Sequence, residues 1–241
     1  MSILNNENRI GNFTSSEIWK LTLSGKANKM FSERGLTYIQ EKYYERKLGL
    51  SLSTEQNAKP LTWGKHLEFR VFDLLGAEYE LTSQLTKIHP QYNFWAGSAD
   101  CIKHTEKRIL PDIKCPYTRK SFCELLECTD GEKLKELYPE YYWQLVSNAI
   151  LNDCSDAELI VYMPYKSELE DIRESTGGID TLQRNLAWIN FAEDEELPHI
   201  LDGGHYKNLN TISIIIPSSD TDFLTERVVE AGKLLNYLYE S

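Results

Sequence analysis

Apolar positions along the chain recur with two periods, and the place where the period changes organises the reading. Trp63, Leu67, Val71, Leu74 and Leu75 stand at the spacing that gathers side chains on one helix face, and the run closes near Gly76. Upstream, residues 37–48 are rich in long side chains and predict a basic helix. Thr14-Ser-Ser-Glu17 ahead of Ile18, Trp19 and Leu21 predicts a short helix opened by a capping box. Beyond Gly76 the period shortens to two. Residues 80–88, 94–102 and 108–116 predict strands, the last two joined by a polar turn at 103–107. Helices are expected at about 119–128 and 139–151, the second with Tyr141, Leu145 and Val146 on its apolar face. Strands are expected at 158–162 and 211–216, and an amphipathic helix at 221–239. Helices flanking a run of strands predict an α/β (α+β) fold with a central mixed sheet. No repeat or Gly/Ser linker divides the chain, so a single domain, 1–241, is expected. Residues 166–210, acidic and poorly periodic, are expected to form a surface insertion.

Composition narrows the function classes. An aromatic content of 11% argues against disorder. No apolar run approaches the ~20 residues of a membrane span, and the first residues lack a signal peptide's basic start and apolar middle. A cytoplasmic protein without membrane contact is expected. The five cysteines form no CxxC pair and read as reduced thiols rather than a zinc or iron–sulfur site. The net charge of −11 conceals an asymmetry. Residues 9–70 hold 11 Lys/Arg against 6 Asp/Glu, whereas residues 121–241 hold 8 against 24. Phosphate responds to the local field, so the basic N-terminal third is a candidate DNA-facing side. Charge alone fits an ordinary solvated surface equally well.

The chemistry concentrates in Gly97-Ser-Ala-Asp100 and Leu110-Pro-Asp112-Ile-Lys114. Alternate strand residues share a face, so Asp112 and Lys114 point one way while Ile109, Ile113 and Cys115 point into an apolar layer. Asp100, placed on the neighbouring strand, falls opposite or diagonal to Asp112. Two carboxylates on one face beside apolar neighbours repel each other and resist desolvation. A hard divalent cation relieves both difficulties, and Lys114 can then orient or deprotonate a water and balance developing charge. A surface salt bridge between Lys114 and an aspartate is the simpler reading of the D-x-K triplet by itself.

Several blocks in one order extend this cluster. They are Arg9-Ile-Gly-Asn-Phe-Thr-Ser-Ser16-Glu-Ile18, Ala58-Lys-Pro-Leu-Thr-Trp-Gly-Lys-His-Leu-Glu68, Gly97–Asp100, Asp112-Ile-Lys-Cys-Pro116 and Tyr141-Tyr-Trp-Gln144-Leu. Together they resemble the lambda exonuclease, or YqaJ-like viral recombinase, branch of the PD-(D/E)xK nucleases. The resemblance implies a restriction-endonuclease-like core and a Mg²⁺-dependent 5′→3′ double-strand DNA exonuclease that releases mononucleotides, with Mn²⁺ able to replace Mg²⁺. It implies that Glu68, Asp100, Asp112 and the backbone carbonyl of Ile113 hold metal, and that Lys114 and Gln144 flank the attacking water. Arg9 and Ser16 would hold the 5′-phosphate. DNA ends, further copies of the chain in a trimeric ring and a single-strand annealing protein are the implied partners, in a bacterial or phage-infected cell. Asp112 stands where Glu is common in the branch, and Cys101 where Gly is usual, which puts the detailed metal position in question. Two alternatives stay open: a restriction-like or RecB-type endonuclease of the same fold, and a non-catalytic DNA-end-binding protein. Gln144 is followed at the fourth place by Asn148 rather than the Tyr of a RecB-type Q-x-x-x-Y helix.

Overall fold

The computed structural model of the protein describes residues 8–27, 29–52, 58–82, 86–176 and 185–240. In chain order its elements are β1 (Phe13–Thr14), α1 (Trp19–Thr22), α2 (Glu33–Leu48), α3 (Lys59–Leu74), β2 (Tyr79–Leu81), β3 (Lys87–Ile88), β4 (Trp95–Gly97), β5 (Cys101–His104) and β6 (Arg108–Lys114). There follow α4 (Arg119–Leu126), α5 (Gly131–Leu137), α6 (Pro139–Asn152), β7 (Asp156–Tyr162), α7 (Leu169–Ser175), α8 (Ala187–Phe191), β8 (Leu209–Ile215) and α9 (Ser218–Glu240).

The main sheet has the order β2-β5-β6-β7-β8, with β6 and β7 parallel and the other pairs antiparallel. Alternation along β7 explains its central place. Ala157, Leu159 and Val161 enter one core while Ile160 and Tyr162 enter the other, so both faces of the strand are covered. On the first face, α6 contributes Leu145, Val146 and Ala149, and α9 contributes Leu224, Val228, Ala231 and Leu235. On the second face α3 contributes Trp63, Leu67 and Val71, which pack with Ile113 of β6. Burying each such aliphatic side chain is worth about 1.5–3 kcal/mol, more than helix propensity supplies. The result is a mixed α/β sandwich with a restriction-endonuclease-like core. It holds β6 between helices that carry polar groups to its C-terminal end.

A smaller sheet, β1-β4-β3, stands beside it. Gly97 ends β4 where a Cβ would collide with Ser15 Oγ, Asn148 Oδ1 and Leu151 Cδ1, so only glycine lets this strand lie so close to α6.

Four expectations need correction. The strand expected at 94–102 is two strands in different sheets, broken at Ser98-Ala99-Asp100. The polar groups at the break find other partners: Asn148 Nδ2 donates to the Ser98 carbonyl at 3.1 Å, and Thr82 N to that of Asp100 at 3.3 Å. The strand expected at 80–88 likewise divides between the two sheets, with 83–85 outside the described residues. The capping box does not form. Thr14 belongs to β1, its carbonyl rather than its side chain meets Glu17 N–H at 2.9 Å, and α1 has only four residues with no side-chain cap. Finally, segment 166–210 does more than cover surface. Leu169, Ile172, Ile189, Ala192 and Leu197 are buried in the second core, although 177–184 lie outside the described residues.

Candidate active site

The end of β6 gathers the charged side chains. Lys103 pairs with Ile109 and His104 with Arg108, a register that, continued along the hairpin, sets Asp100 across from Asp112. In place of a further strand pair, Asp100 Oδ2 accepts the backbone N–H of Ile113 at 2.9 Å. Ile113 thus joins the site through its N–H, while its side chain packs beneath α3.

Asp112 and Lys114 share the face turned toward α6. Lys114 Nζ lies 2.7 Å from Asp112 Oδ2 and donates to Gln144 Oε1 at 3.3 Å. Gln144 Nε2 donates to Asp112 Oδ1 at 2.9 Å, closing a triangle of three side chains. Both hydrogen-bonding ends of the Gln144 amide are thereby used, which fixes its orientation. Asp112 is only 2% exposed. Its Oδ2 has the Lys114 ammonium beside it but no hydrogen bond of its own among the described residues. Tyr141, one turn before Gln144, sets its ring 5.1 Å from Lys114 Nζ. It is a member of the site to which sequence reasoning, having placed it on an apolar helix face and in the Gln144 block, gave no role. Its spacing three before Gln144 was the available signal.

Glu68, on α3, feels the same charges. Burial, followed by the Asp100 and Asp112 carboxylates, pushes its acid up from 4.5 to about 7 despite Lys114. Burial and Asp112 likewise raise Asp100. Burial works against the Lys114 ammonium, but Asp112 and Asp100 outweigh it and hold the group protonated well above the ordinary lysine range. The neighbouring thiols stay protonated: burial, then Asp100, Asp112 and Glu158, push Cys101 up to about 12, and burial raises Cys115. All five cysteines are unbridged.

Asp100 and Asp112 both act on Glu68, and Asp112 acts on Asp100, so the three carboxylates form a hard-oxygen donor set, and the buried Asp112 Oδ2, faced by the Lys114 ammonium, is the kind of atom a cation would satisfy. In donor chemistry the residues fit a divalent metal. Among the described residues, however, no three His, Cys, Asp or Glu side chains already stand together as a metal-holding group. Asp100 Oδ2 is engaged by Ile113 and both Asp112 oxygens face Lys114 and Gln144. Binding would therefore draw Lys114 away from Asp112.

Arg9 and Ser16 lie in the segment around β1. Ser16 is exposed, Arg9 is half-buried, and the Arg9 guanidinium has no ion pair or hydrogen bond among the described residues. Gly11, at φ +69°, donates its N–H to Glu45 Oε2 at 2.9 Å, and its carbonyl accepts from Arg46 Nε at 2.9 Å. Those bonds pin the turn that presents Arg9. Ser15 joins this segment to α6 through Ser147 Oγ at 2.8 Å.

The sequence profile of the YqaJ-like viral recombinase domain matches residues 7–157, a span that contains Arg9, Ser16, Glu68, Asp100, Asp112, Lys114, Tyr141 and Gln144. The chain belongs to the YqaJ-like viral recombinase family. It is a DNA nuclease, a hydrolase of a kind that typically depends on a divalent metal. Among solved structures, a phage related exonuclease from Haemophilus somnus 129PT is similar, with a TM-score of 0.62 and 15% identity over 95% of each chain. LHK-Exo in complex with dAMP, the alkaline exonuclease of Laribacter hongkongensis, gives a TM-score of 0.59 and 16% identity over 96% of this chain and 93% of that one. At such identities the likeness concerns the fold. No curated protein matches the sequence. Within the described residues no helix is long and apolar enough to cross a membrane.

Proposed function

We propose that this YqaJ-like nuclease is a Mg²⁺-dependent exonuclease that degrades linear double-stranded DNA from its 5′ ends, releasing 5′-mononucleotides during phage-type recombination. The observation that carries the reading is the closed triangle Asp112–Lys114–Gln144, with Glu68 and Asp100 electrostatically coupled to it. Glu68, Asp100, Asp112 and the Ile113 carbonyl would hold the cation. When bound, Mg²⁺, or Mn²⁺ in its place, would neutralise phosphodiester charge and acidify the attacking water. Gln144 orients that water through its amide. Lys114, held protonated, positions it and steadies the charge that develops on the phosphate oxygens. Tyr141 keeps the ammonium on the site side of β6 through its ring face.

The 5′ polarity is assigned to Arg9 and Ser16. The four-residue α1 supplies no dipole of consequence, so the grip on a terminal phosphate rests on the free guanidinium and the exposed hydroxyl. The exonuclease names of the two similar structures support action at ends. Self-association into a ring belongs to the same reading. Leu36, Tyr44 and Leu48 stand exposed at multiples of four along α2, with Leu50 and Leu52 beyond them, an apolar surface suited to contacts between copies. A single-strand annealing protein would receive the strand left behind.

The test is a 5′-phosphorylated linear duplex labelled at each end in turn, beside a closed circle of the same sequence. Early loss of the 5′ label with intact circles is expected. Cutting of the circles would turn the reading toward an endonuclease, and early loss of the 3′ label would reverse the polarity.

A further inference from the structure

Beside the active site, α3 passes the end of β6 at Gly64. A Cβ at Gly64 would meet nothing nearer than the Cys115 carbonyl oxygen at 4.0 Å. An aromatic corner is built around this crossing. Trp188 of α8 packs its ring against Trp63, with centroids 6.2 Å apart and planes at 47°. It meets Tyr117 edge-on at 6.2 Å and 68°. Its Nε1 donates to Thr62 Oγ1 at 3.2 Å, which fixes the plane of the indole. Lys59 Nζ stands 5.0 Å from the centre of the same ring. Trp63 is fully buried, Trp188 and Tyr117 are half-buried, and Lys59 is exposed, so the corner has an inner wall and an open rim.

Position ties this rim to the chemistry. Tyr117 follows Lys114 by three residues, and Thr62 precedes Glu68 by six, ~9 Å along the helix axis. An apolar residue of any kind could cover Trp63. An indole held in one plane by a hydrogen bond, with a cation across it, offers something further: a flat surface for a nucleobase and a charge for the adjoining phosphate. A paired base inside a duplex has both faces covered by its neighbours, so the matching ligand is unpaired.

We propose that Trp188, Tyr117 and Lys59 form a stacking site for one unpaired base of the DNA strand held at the active site, a proposal that rests on the nuclease reading of that site. Trp188 lies outside the residues 7–157 that match the family profile, whereas Lys59 and Tyr117 lie within them.

The experiment is a cycle of protein and substrate changes. Full-length Lys114→Ala protein, held without divalent metal so that the DNA stays uncut, is titrated with duplexes bearing an abasic site at each of the last few nucleotides in turn. At one position the missing base is expected to weaken binding roughly tenfold. Trp188→Phe, which keeps a stacking face, should retain that penalty, and Trp188→Leu, which keeps only apolar bulk, should abolish it. Tyr117→Leu, at the rim and outside the Thr62 hydrogen bond, should reduce it in a protein whose melting temperature is unchanged. An undiminished penalty in Trp188→Leu and Tyr117→Leu, or no base-dependent penalty at any position in the parent, overturns the proposal. Hydrolysis of the intact duplex by the wild-type chain is scored separately. A chain that cuts DNA without this coupling loses only the stacking site, while one that shows the coupling and never cuts loses only the nuclease reading.

Discussion

Lys114 Nζ sits 2.7 Å from Asp112 Oδ2, and Gln144 spans the pair with one end of its amide on each residue. The ammonium is the only charge that compensates a carboxylate this deeply buried among the described residues, and two aspartates keep it protonated. Replacing Lys114 by Met keeps the length of the side chain and removes that charge. The turnover rate on linear duplex is expected to fall by about 10²–10⁴-fold with end binding preserved. Rate and affinity measured on one preparation check both halves of the statement.

Gln144 has a narrower role and a diagnostic substitution. Leu at this position leaves Asp112 Oδ1 without its donor and is expected to slow turnover by about tenfold or more. Glu is expected to be worse, because it sets a fourth carboxylate 2.9 Å from Asp112 where a donor belongs. Single-turnover rates that rank Glu above Leu would show that the amide N–H does not matter.

The raised acids make magnesium and pH interdependent. Glu68 rises from 4.5 to about 7 through burial and then Asp100 and Asp112, and Asp100 moves the same way through burial and Asp112. The folded chain therefore keeps protons that the unfolded chain has released. By linkage, these groups lose stability for the fold as pH climbs from about 4.5 through about 7. A cation that binds the ionised acids counters the loss, so Mg²⁺ should raise the melting temperature by several degrees at pH 8.5 and hardly at pH 5.5. Hydrolysis should increase through pH 7. Thermal melts at both pH values, with and without magnesium, decide it, and an equal effect at both would detach Glu68 from the metal.

Gly97 offers a test of the scaffold. A methyl group there collides with Ser15 Oγ, Asn148 Oδ1 and Leu151 Cδ1. Gly97→Ala is expected to cost about 1–3 kcal/mol of stability and to disturb the approach of β4 to α6. Equilibrium denaturation measures it.

The central hairpin was legible because Asp112 and Lys114 alternate with Ile109, Ile113 and Cys115, a period that only a strand satisfies, and because α3 repeats its apolar positions cleanly. Asp100 was expected on the neighbouring strand, opposite or diagonal to Asp112; it stands instead just before β5 and reaches β6 through its carboxylate on the Ile113 N–H. The break before Asp100 was hidden. Trp95 and Ile102 both favour a strand, and nothing local shows that they join different sheets. Thr14 was misread because its cap-like spacing competes with the pairing of β1 to β4, which sets Thr14 beside Ala96, a partner far away in the sequence. In segment 166–210 the buried Leu169, Ile172, Ile189 and Leu197 are spaced too irregularly to announce a core, since short helices and turns carry them.

The most direct measurement is the initial rate of magnesium-dependent nucleotide release from linear duplex by the wild-type chain and by Asp112→Asn. The substitution preserves the shape of the side chain and removes one charge from the end of β6. Magnesium-dependent release by the wild type, reduced about 10³-fold or more in Asp112→Asn, is the expected result. A wild-type chain that releases nothing with magnesium, or an Asp112→Asn chain that works at nearly the wild-type rate, would contradict a hydrolytic centre built on Asp112.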